Sequence, residues 1–452
     1  MKTTERLVLT IAILASFVPF LDGSVVNVAL PAITRELGGG LPLQQWVVDA
    51  YIITLGSLML LAGSLSDLYG RQRVLRFGLI GFAIGSLLCA AAPTGGLLIA
   101  ARALQGIAGA LLVPSSLALI ISTFSGVAQG RAIGSWTAWT GMAFVFGPLL
   151  GGFFVDAASW RLIFAINVLP IAITLWLMTK LPQESAHIAR TKIDVVGALL
   201  CTFGLGSLVY GLIEQNRYGW SNALVVSAVL AGVAMLVAFW QHERRQKQPM
   251  LPPQLFTVRN FSVGNVATFA IYAGLSIATF VLAIFVQQVG GYSAIQAGLA
   301  IMPVTISMFF LSSRFGKLAS AHGPRWFMGI GPIVAALGFA YMLLVDRRVL
   351  YVSQLLPGIL LFGLGLSITV SPLTTAVLGA VSSKQAGIAS AVNNMVARVA
   401  GLIGIALIGL VIGPQLGVAG FHRAILVIAG LMALGGIVSL IGIENPTYRT
   451  DL

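Results

Sequence analysis

Gly63-Ser64-Leu65-Ser66-Asp67-Leu68-Tyr69-Gly70-Arg71 connects two long apolar segments and places a carboxylate, glycines and a base between them. A related stretch, Gly316-Lys317-Leu318-Ala319-Ser320-Ala321-His322-Gly323, connects two apolar segments in the second half of the chain. Both read Gly-x-Leu-x-x-x-x-Gly, and a basic residue comes soon after each. Corresponding connections in two halves are typical of a membrane protein built from duplicated helical bundles.

The composition is that of a membrane protein. Of the 452 residues, 58% are hydrophobic and 9% are charged, and the mean hydropathy is +0.97. A soluble domain has about 25% charged residues, so this chain lacks the polar side chains to cover a surface in water. Cys89 and Cys201 both lie in apolar runs, so we expect small buried side chains and no disulfide framework.

Apolar segments long enough to cross a bilayer recur along the whole chain. A spanning helix needs about 20 such residues, and this criterion predicts fourteen spans. They lie at 7–32, 44–66, 74–92, 96–121, 132–155, 161–180, 194–213, 222–240, 261–287, 294–313, 326–345, 351–376, 386–412 and 422–443. The first span holds Pro19 and Asp22 and lacks a small-residue cleavage site, so we interpret it as a span rather than a removed signal.

The basic residues indicate the orientation. With the N-terminus inside, eighteen of the 26 Lys and Arg residues fall in cytoplasmic segments and six outside, while Arg102 and Arg398 lie within spans. Because basic loops stay on the cytoplasmic side, both termini are predicted to lie there, in a cytoplasmic (inner) membrane. The net charge of +13 is spread singly between apolar segments, without a basic stripe, so nucleic acid is not an expected partner.

The repeat and the polar linkers predict a division into three parts. Residues 1–180 would form an N-terminal six-helix bundle, and 259–452 a C-terminal one. Residues 181–258 would be a two-helix insertion with its linkers, because its flanks, 183–192 and 241–253, are polar. The expected fold class is an all-α membrane protein with two six-helix bundles and two extra central helices.

Three charged residues in the first bundle are candidates for proton coupling. Asp22 lies about 15 Å inside the first predicted span, where a charge is costly and burial favours the neutral acid. Arg102 in the fourth span and Asp49 near the outer end of the second lie in the same half of the membrane. A cation that approaches and leaves a buried acid between conformations would unload and load a proton. For Asp49, an ordinary acid at a helix end is an equal alternative.

Two further stretches predict moving parts. Asp67, with Gly63, Gly70, Arg71 and Arg73, is predicted to form a cytoplasmic latch, because its carboxylate can dock on a helix N-terminus in one conformation and leave it in another. The run Gly147-Pro148-Leu149-Leu150-Gly151-Gly152 is predicted to break and thin the fifth helix, since proline kinks a helix and glycines permit close packing.

The remaining intramembrane polar residues are candidates for a substrate cavity: Glu214, Asn393, Asn394 and Arg398. For Glu214 a solvated helix end is the favoured reading, whereas an arginine deep in the membrane needs a partner or a wet cavity. No phosphate-binding loop of the type Gly-x4-Gly-Lys-Ser/Thr occurs, so ATP hydrolysis is not expected. Neither a catalytic residue nor a metal or cofactor is predicted.

Taken in order, these motifs resemble those of the major facilitator superfamily, in particular its fourteen-helix drug:proton antiporter branch. Asp22 to Pro31 is similar to the branch's first-helix motif, with Ser24 in place of the usual threonine, and 63–73 to the superfamily's loop motif. Residues 102–109 are similar to the fourth-helix motif, and 141–152 to the antiporter motif. The resemblance implies two bundles around a cavity, alternating access, proton coupling at Asp22 and Arg102, and a latch at Asp67.

We therefore expect a transporter rather than an enzyme. The hypothesis is a monomeric, proton-coupled antiporter that exports amphipathic drugs or lipid-like metabolites from the cytoplasm or the inner leaflet. Its expected partners are a small amphipathic substrate, protons and the lipid bilayer. Two alternatives remain: a proton-coupled uptake carrier of the same fold, disfavoured by Gly147-Pro148, and a membrane sensor that does not transport, disfavoured by the intact motif charges.

Overall fold

A computed structural model describes residues 3–182, 194–246, 249–346, 348–382, 385–413 and 416–445. Within these ranges the side chains of five residues are not described: Thr3, Leu60, Asp67, Val127 and Ala386. Seven of the basic residues used to predict the orientation lie outside the described residues: Lys2, Arg190, Lys192, Lys247, Arg347, Lys384 and Arg449.

The described residues form helices and their connections, without a strand. The helices are α1 (Thr3–Leu37), α2 (Gly40–Tyr69), α3 (Arg71–Ala91), α4 (Gly95–Thr123), α5 (Gly126–Gly141), α6 (Ala143–Ala157), α7 (Leu162–Ala165), α8 (Val168–Met178), α9 (Val195–Tyr218), α10 (Ala223–Arg245), α11 (Arg259–Gln288), α12 (Ala294–His322), α13 (Arg325–Tyr341), α14 (Leu356–Gly379), α15 (Ala386–Ile412) and α16 (Val418–Gly442). A π-helical turn, Tyr351–Leu355, leads into α14.

Among the described residues, twelve helices are long and apolar enough to cross a membrane, so this is a multi-pass membrane protein. Leu162–Met178 is a shorter apolar helical segment, and α2 is a further helix of 30 residues. These two coincide with the predicted second and sixth spans. Twelve of the fourteen predicted spans therefore meet the criterion of length and apolar composition. The full count of fourteen stays a prediction.

The chain forms two compact units. Unit 1 comprises Met1–Met250 together with Tyr292–Gly298, and unit 2 comprises Leu251–Gly291 together with Leu299–Leu452. Helices α1 to α10 and the first turn of α12 therefore belong to unit 1. In unit 2, α13 packs on α14 and α16, and α11 packs on α15 and α16.

Unit 1 is organised around α1 and α4. Helix α1 packs against α4, α5, α6 and α8, while α4 also packs against α2 and α3. A core of aliphatic and aromatic side chains fills this space, with Phe82 and Leu112 fully buried at its centre. Helices α9 and α10 pack on each other, and α9 packs on α2. The site residues on α1, α2 and α4 are therefore held by closely packed neighbours.

The ends of α9 and α10 meet at Asp194. Its carboxylate caps α9 by accepting a hydrogen bond from Gly197 N at 2.9 Å, and His242 Nε2 lies 2.9 Å from the same oxygen. Burial alone would raise the pKa of Asp194, but hydrogen bonds from Gly197 and His242 outweigh it and hold that pKa below its usual value. The ionised carboxylate therefore ties the two helices together at this end.

The predicted loop motif is mostly helical, which corrects the sequence analysis. Helix α2 continues to Tyr69, beyond the predicted end at 66, because only Gly70 departs from helical geometry, with φ 91°. Gly323 plays the same part between α12 and α13, with φ 86°. A left-handed residue is nearly free of strain only as glycine, so both repeats turn the chain at the last glycine of the motif. Gly63 faces open space and does not mediate a close approach.

The helix is not broken at Pro148, and the junction within the fifth predicted span is slight, because Met142 keeps helical dihedral angles. Helix α5 ends at Gly141 and α6 begins at Ala143, so the interruption lies at Met142, whereas Pro148 lies inside α6. A proline ring clashes with the carbonyl four residues earlier and removes a donor. For Pro148 that carbonyl belongs to Phe144, inside α6. At the junction of α5 and α6, Met142 N is shared between Ala138 O and Trp139 O, each at 3.2 Å.

Candidate functional site

The candidate site is centred on Asp22, in the interior of unit 1. Because α1 extends to Leu37, Asp22 lies about 22 Å from the C-terminal end of the helix rather than the expected 15 Å. It is fully buried. A carboxylate at this depth is tolerated only if charges and hydrogen bonds compensate it.

Arg102 provides that compensation. Its Nη1 lies 2.5 Å from Asp22 Oδ2, and both side chains are buried. Arg102 is held in place from α2, since its Nε donates to Val47 O at 2.9 Å and its guanidinium lies 4.2 Å from the centre of the Tyr51 ring. The structure thus brings together two of the three residues predicted to couple protons, on α1 and α4.

Neutral polar side chains complete the carboxylate's shell. Gln105 Nε2 and Asn167 Nδ2 each donate to Asp22 Oδ1 at 2.9 Å, and Gln105 Oε1 accepts a second bond from Arg102 at 2.6 Å. Gln105 also donates to Ser86 Oγ at 2.9 Å. Asp22 therefore accepts hydrogen bonds from three side chains, two on α4 and one on the α7–α8 connection. Sequence reasoning missed Gln105 and Asn167.

Asp49 stands apart from this network. It is fully buried on α2, and neither carboxylate oxygen has a hydrogen-bond partner among the described residues. An ionised carboxylate without a counter-charge is very costly in such a place. Among the described residues, Asp49 thus has no compensating partner of the kind that Asp22 has in Arg102.

The glycines of the fourth-helix motif let α4 approach α2. A Cβ on Gly106 would meet Thr54 Oγ1 and Tyr51 O. Thr54 itself donates to Ala103 O at 2.9 Å. Because the two backbones are this close, Arg102 has a fixed position relative to Val47 and Tyr51.

The predicted antiporter motif packs against the α1 segment that follows Asp22. A Cβ on Gly147 would fall on Ser24 Oγ, and one on Gly151 would meet Val25. Ser24 donates to Ala143 O at 3.0 Å, which joins α6 to α1 two residues after Asp22. These contacts lie two to three residues along α1 from Asp22.

The other face of α6 packs on the first turn of α12, which belongs to the same unit. A Cβ on Gly152 would meet Ile295 and Ala294 O, and Pro148 O lies against Gly298. One turn further along α6, Asp156 accepts bonds from Ala294 N at 3.0 Å and Ile295 N at 2.8 Å. A carboxylate bound to the first amides of a helix is stabilised by the helix dipole.

The predicted cavity residues fall in different places. Glu214, on α9 in unit 1, accepts a hydrogen bond from Trp46 Nε1 at 2.9 Å, so it joins α9 to α2. In unit 2, Asn393 of α15 donates to Asn265 Oδ1 at 3.1 Å and Thr268 Oγ1 at 2.8 Å on α11. Asn394 is exposed, and Arg398 is half-buried.

The predicted latch is described only in part. Asp67 lies in α2, but its side chain is outside the described part of the chain. Gly70 makes the turn into α3, where Arg71 is half-buried and Arg73 exposed. Gln72, between the two arginines, donates to Pro182 O at 3.1 Å. The latch itself stays a prediction.

Fold and site together define an all-helical, multi-pass membrane protein with a charge pair buried in its first unit. The sequence profile of the Major Facilitator Superfamily matches residues 12–195 and 195–405. The chain therefore belongs to this superfamily and is a transporter of small molecules, not an enzyme.

Curated relatives extend the match. The puromycin resistance protein pur8 of Streptomyces alboniger is 35% identical over 412 residues, which are 89% of this chain and 81% of the relative. The multidrug resistance protein Stp of Mycobacterium tuberculosis is 32% identical over 421 residues, 92% of this chain and 77% of the relative.

Solved structures confirm the fold. A bacterial homologue of the human lysosomal transporter Spinster superposes with a TM-score of 0.71 at 15% identity, covering 98% of this chain and 97% of that one. At this identity the likeness concerns the fold alone.

Proposed function

We propose that this chain is a proton-coupled antiporter that exports amphipathic drugs or lipid-like metabolites from the cytoplasm or the inner leaflet by alternating access. The observation that carries the proposal is the buried Asp22–Arg102 pair beside the α1–α6 contact. Resistance proteins among the relatives support export as the direction of transport.

The pair suggests how a proton could drive the cycle. While Asp22 is ionised, it holds Arg102 and the amides of Gln105 and Asn167. A proton that enters from outside would neutralise Asp22, and each charge-assisted bond lost weakens the network by about 1.5–3 kcal/mol. Arg102 would then release α1, and the Ser24–Gly147 contact would pass this change to α6.

Asp49 is the second proton site in this proposal. Its burial without a partner implies that it carries a proton while Asp22 does not. The two acids would thus occupy opposite protonation states in one conformation. Exchange between these states, rather than titration of Asp22 alone, would accompany each transport step.

The proposal includes a topology. Helix α2 and the segment Leu162–Met178 would supply the two spans beyond the twelve, to give fourteen, with both termini cytoplasmic. Asp67 with Arg71 and Arg73 would form the cytoplasmic latch. The protein would lie in the bacterial cell membrane and act as a monomer.

Everted membrane vesicles with an imposed pH gradient test the function. Two amphipathic probes are used, the cation ethidium and the anion 9-anthracenecarboxylate. We expect at least one of them to accumulate inside the vesicles. A protonophore and Asp22→Asn should both abolish accumulation, whereas Asp346→Asn, on an exposed residue outside the spans, should leave it unchanged. Accumulation that is insensitive to Asp22→Asn would refute proton coupling through this acid. Accumulation only in right-side-out vesicles would indicate uptake instead.

A further inference from the structure

Helix α3 carries an exposed stripe that begins with two arginines. Gly78 and Gly85 face α4, since a Cβ on either glycine would meet residues of that helix. The opposite side of α3 is exposed, and its side chains recur at helical spacing: Arg73, Arg76, Phe77, Ile80, Ile84 and Leu87. In a membrane-spanning helix such a side faces lipid, and arginines at the end of the span lie at the level of the head groups.

The end of α8 brings a third cation beside this stripe. Gln72 Nε2, in the first turn of α3, donates to Pro182 O at 3.1 Å, and α3 packs against α8. Two residues before Pro182, Lys180 is exposed, and its Nζ lies 3.5 Å from the centre of the Trp176 ring. Arg76 lies one turn from Gln72 on the same side of α3. Arg76 and Lys180 therefore flank one junction between the two helices.

Cations, aromatic rings and aliphatic side chains follow one another along this surface. At 1.5 Å per residue, Phe77 lies about 8 Å and Trp176 about 9 Å from the contact between Gln72 and Pro182. The two rings are exposed and therefore lie side by side at one level. Beyond them the exposed side chains of both helices are aliphatic: Ile80 and Ile84 on α3, Ile173 and Leu169 on α8. This order matches a phospholipid, whose phosphate, glycerol region and acyl chains follow in the same direction.

The two helices supply no carboxylate to offset these cations. Helix α3, helix α8 and residues 179–182 contain no aspartate or glutamate. Within the described part of the chain, neither Arg73 nor Arg76 makes a hydrogen bond or an ion pair, and Lys180 lies on an aromatic ring. Like charges gathered at one place favour an anion beside them. The α3–α8 surface is defined by five exposed side chains: Arg73, Arg76, Phe77, Trp176 and Lys180.

We propose that the α3–α8 surface binds the head group of an anionic phospholipid. Phosphate oxygens are strong acceptors for guanidinium and ammonium groups, and basic pockets between membrane helices bind anionic head groups. A lipid fits better than a soluble anion, because the aliphatic side chains beyond the two rings would contact its acyl chains. The leaflet that supplies the lipid rests on the proposed topology, in which this end of α3 is cytoplasmic.

Two lipids with identical dioleoyl chains isolate the charge of the head group: phosphatidylglycerol and phosphatidylcholine. Their binding to the full chain, purified in a nonionic detergent, is measured by native mass spectrometry. We expect the wild type to bind phosphatidylglycerol more tightly. Arg76→Gln and Lys180→Gln should each weaken that binding about fivefold, the usual effect of one basic side chain near anionic lipid, and leave phosphatidylcholine unchanged. Arg131→Gln, at the exposed and only base of α5, is the control and should change neither.

Two further arms separate charge from shape and lipid from soluble anion. Arg76→Lys keeps the charge and should bind phosphatidylglycerol nearly as well as the wild type. Glycerol 3-phosphate, which has the charge without the chains, should not displace the lipid at equal concentration. Three outcomes would overturn the proposal: equal binding of the two lipids by the wild type, equal losses in Arg76→Gln and Arg131→Gln, or displacement by glycerol 3-phosphate. Because transport is not measured, these outcomes would leave the export mechanism intact, and a failure of export would leave this surface.

Discussion

Replacing Arg102 by methionine keeps the bulk of the side chain and removes its charge, which leaves Asp22 buried with only the amides of Gln105 and Asn167. Breaking a buried ion pair by removing one partner costs about 3–5 kcal/mol. The double change Asp22→Asn with Arg102→Met removes both charges and leaves an amide oxygen for the same donors. We expect the double variant to lose only about 1 kcal/mol, so the second substitution should restore stability lost to the first.

Thermal unfolding of the purified protein measures this difference. Cys89 and Cys201 are both free and buried, so a thiol-reactive dye reports unfolding without an added label. Unfolding entropy is about 2.1 cal/mol/K per residue, so for 452 residues Arg102→Met should lower the melting temperature by about 3–5 °C and the double variant by about 1 °C. Arg131→Met, on an exposed arginine of α5, is the control and should have little effect. A double variant as unstable as Arg102→Met would refute the reasoning, because it would mean that packing rather than charge pairing holds Arg102.

Two further predictions concern α6 and α9. Gly147→Ala should abolish transport while the protein still inserts in the membrane, because the added Cβ would fall on Ser24 Oγ. The control is Gly134→Ala, at a glycine that faces open space, and this variant should transport normally. Equal transport activity of the two variants would contradict the α1–α6 contact. Asp194→Asn should destabilise the protein at neutral pH, since its lowered pKa means that the ionised form stabilises the fold through His242 and the α9 cap. That stabilisation is present above the unfolded-state pKa of Asp194, near 3.8, and is lost as pH falls through the lower folded-state pKa. The melting temperatures of wild type and variant should therefore converge below about pH 4. A difference in melting temperature that grew at low pH would contradict this sign.

The pairing of Asp22 with Arg102 could be predicted because charge in an apolar run is rare. Only a few residues in the first bundle carried such a signal, and helix direction placed them in one half of the membrane. Asp49 carried the same signal yet lies outside the network. Asp49 lies apart from Asp22 and Arg102 because of the direction in which its side chain points from α2. A similar depth in the membrane does not predict that direction.

Gln105 and Asn167 were missed because neutral amides are common in membrane helices and give no comparable signal. Gln105 lies three residues after Arg102, a spacing that puts both on one helix face, and this clue could have identified it. Asn167 lies in the connection between α7 and α8, where the helix is interrupted. Helical periodicity gives no direction for a side chain at such a point.

The positions of the helix breaks were the least predictable feature of the fold. Apolar length predicted the helices themselves, since each predicted span coincides with helical residues. The proline predicted a break at Pro148, but Pro148 lies inside α6 and the junction of α5 and α6 falls at Met142, directly after Gly141. At Gly70 the polar motif suggested a loop, but helix α2 needs only one left-handed residue to end.

Substrate-driven proton movement in proteoliposomes tests the central claim most directly. With the dye pyranine trapped inside, adding 9-anthracenecarboxylate or ethidium on the outside should change the internal pH in vesicles containing the wild type. Asp22→Asn should abolish this proton signal while substrate-for-substrate exchange continues. If the neutral variant moved protons with its substrate as well as the wild type does, the buried pair at Asp22 and Arg102 would not be the coupling site.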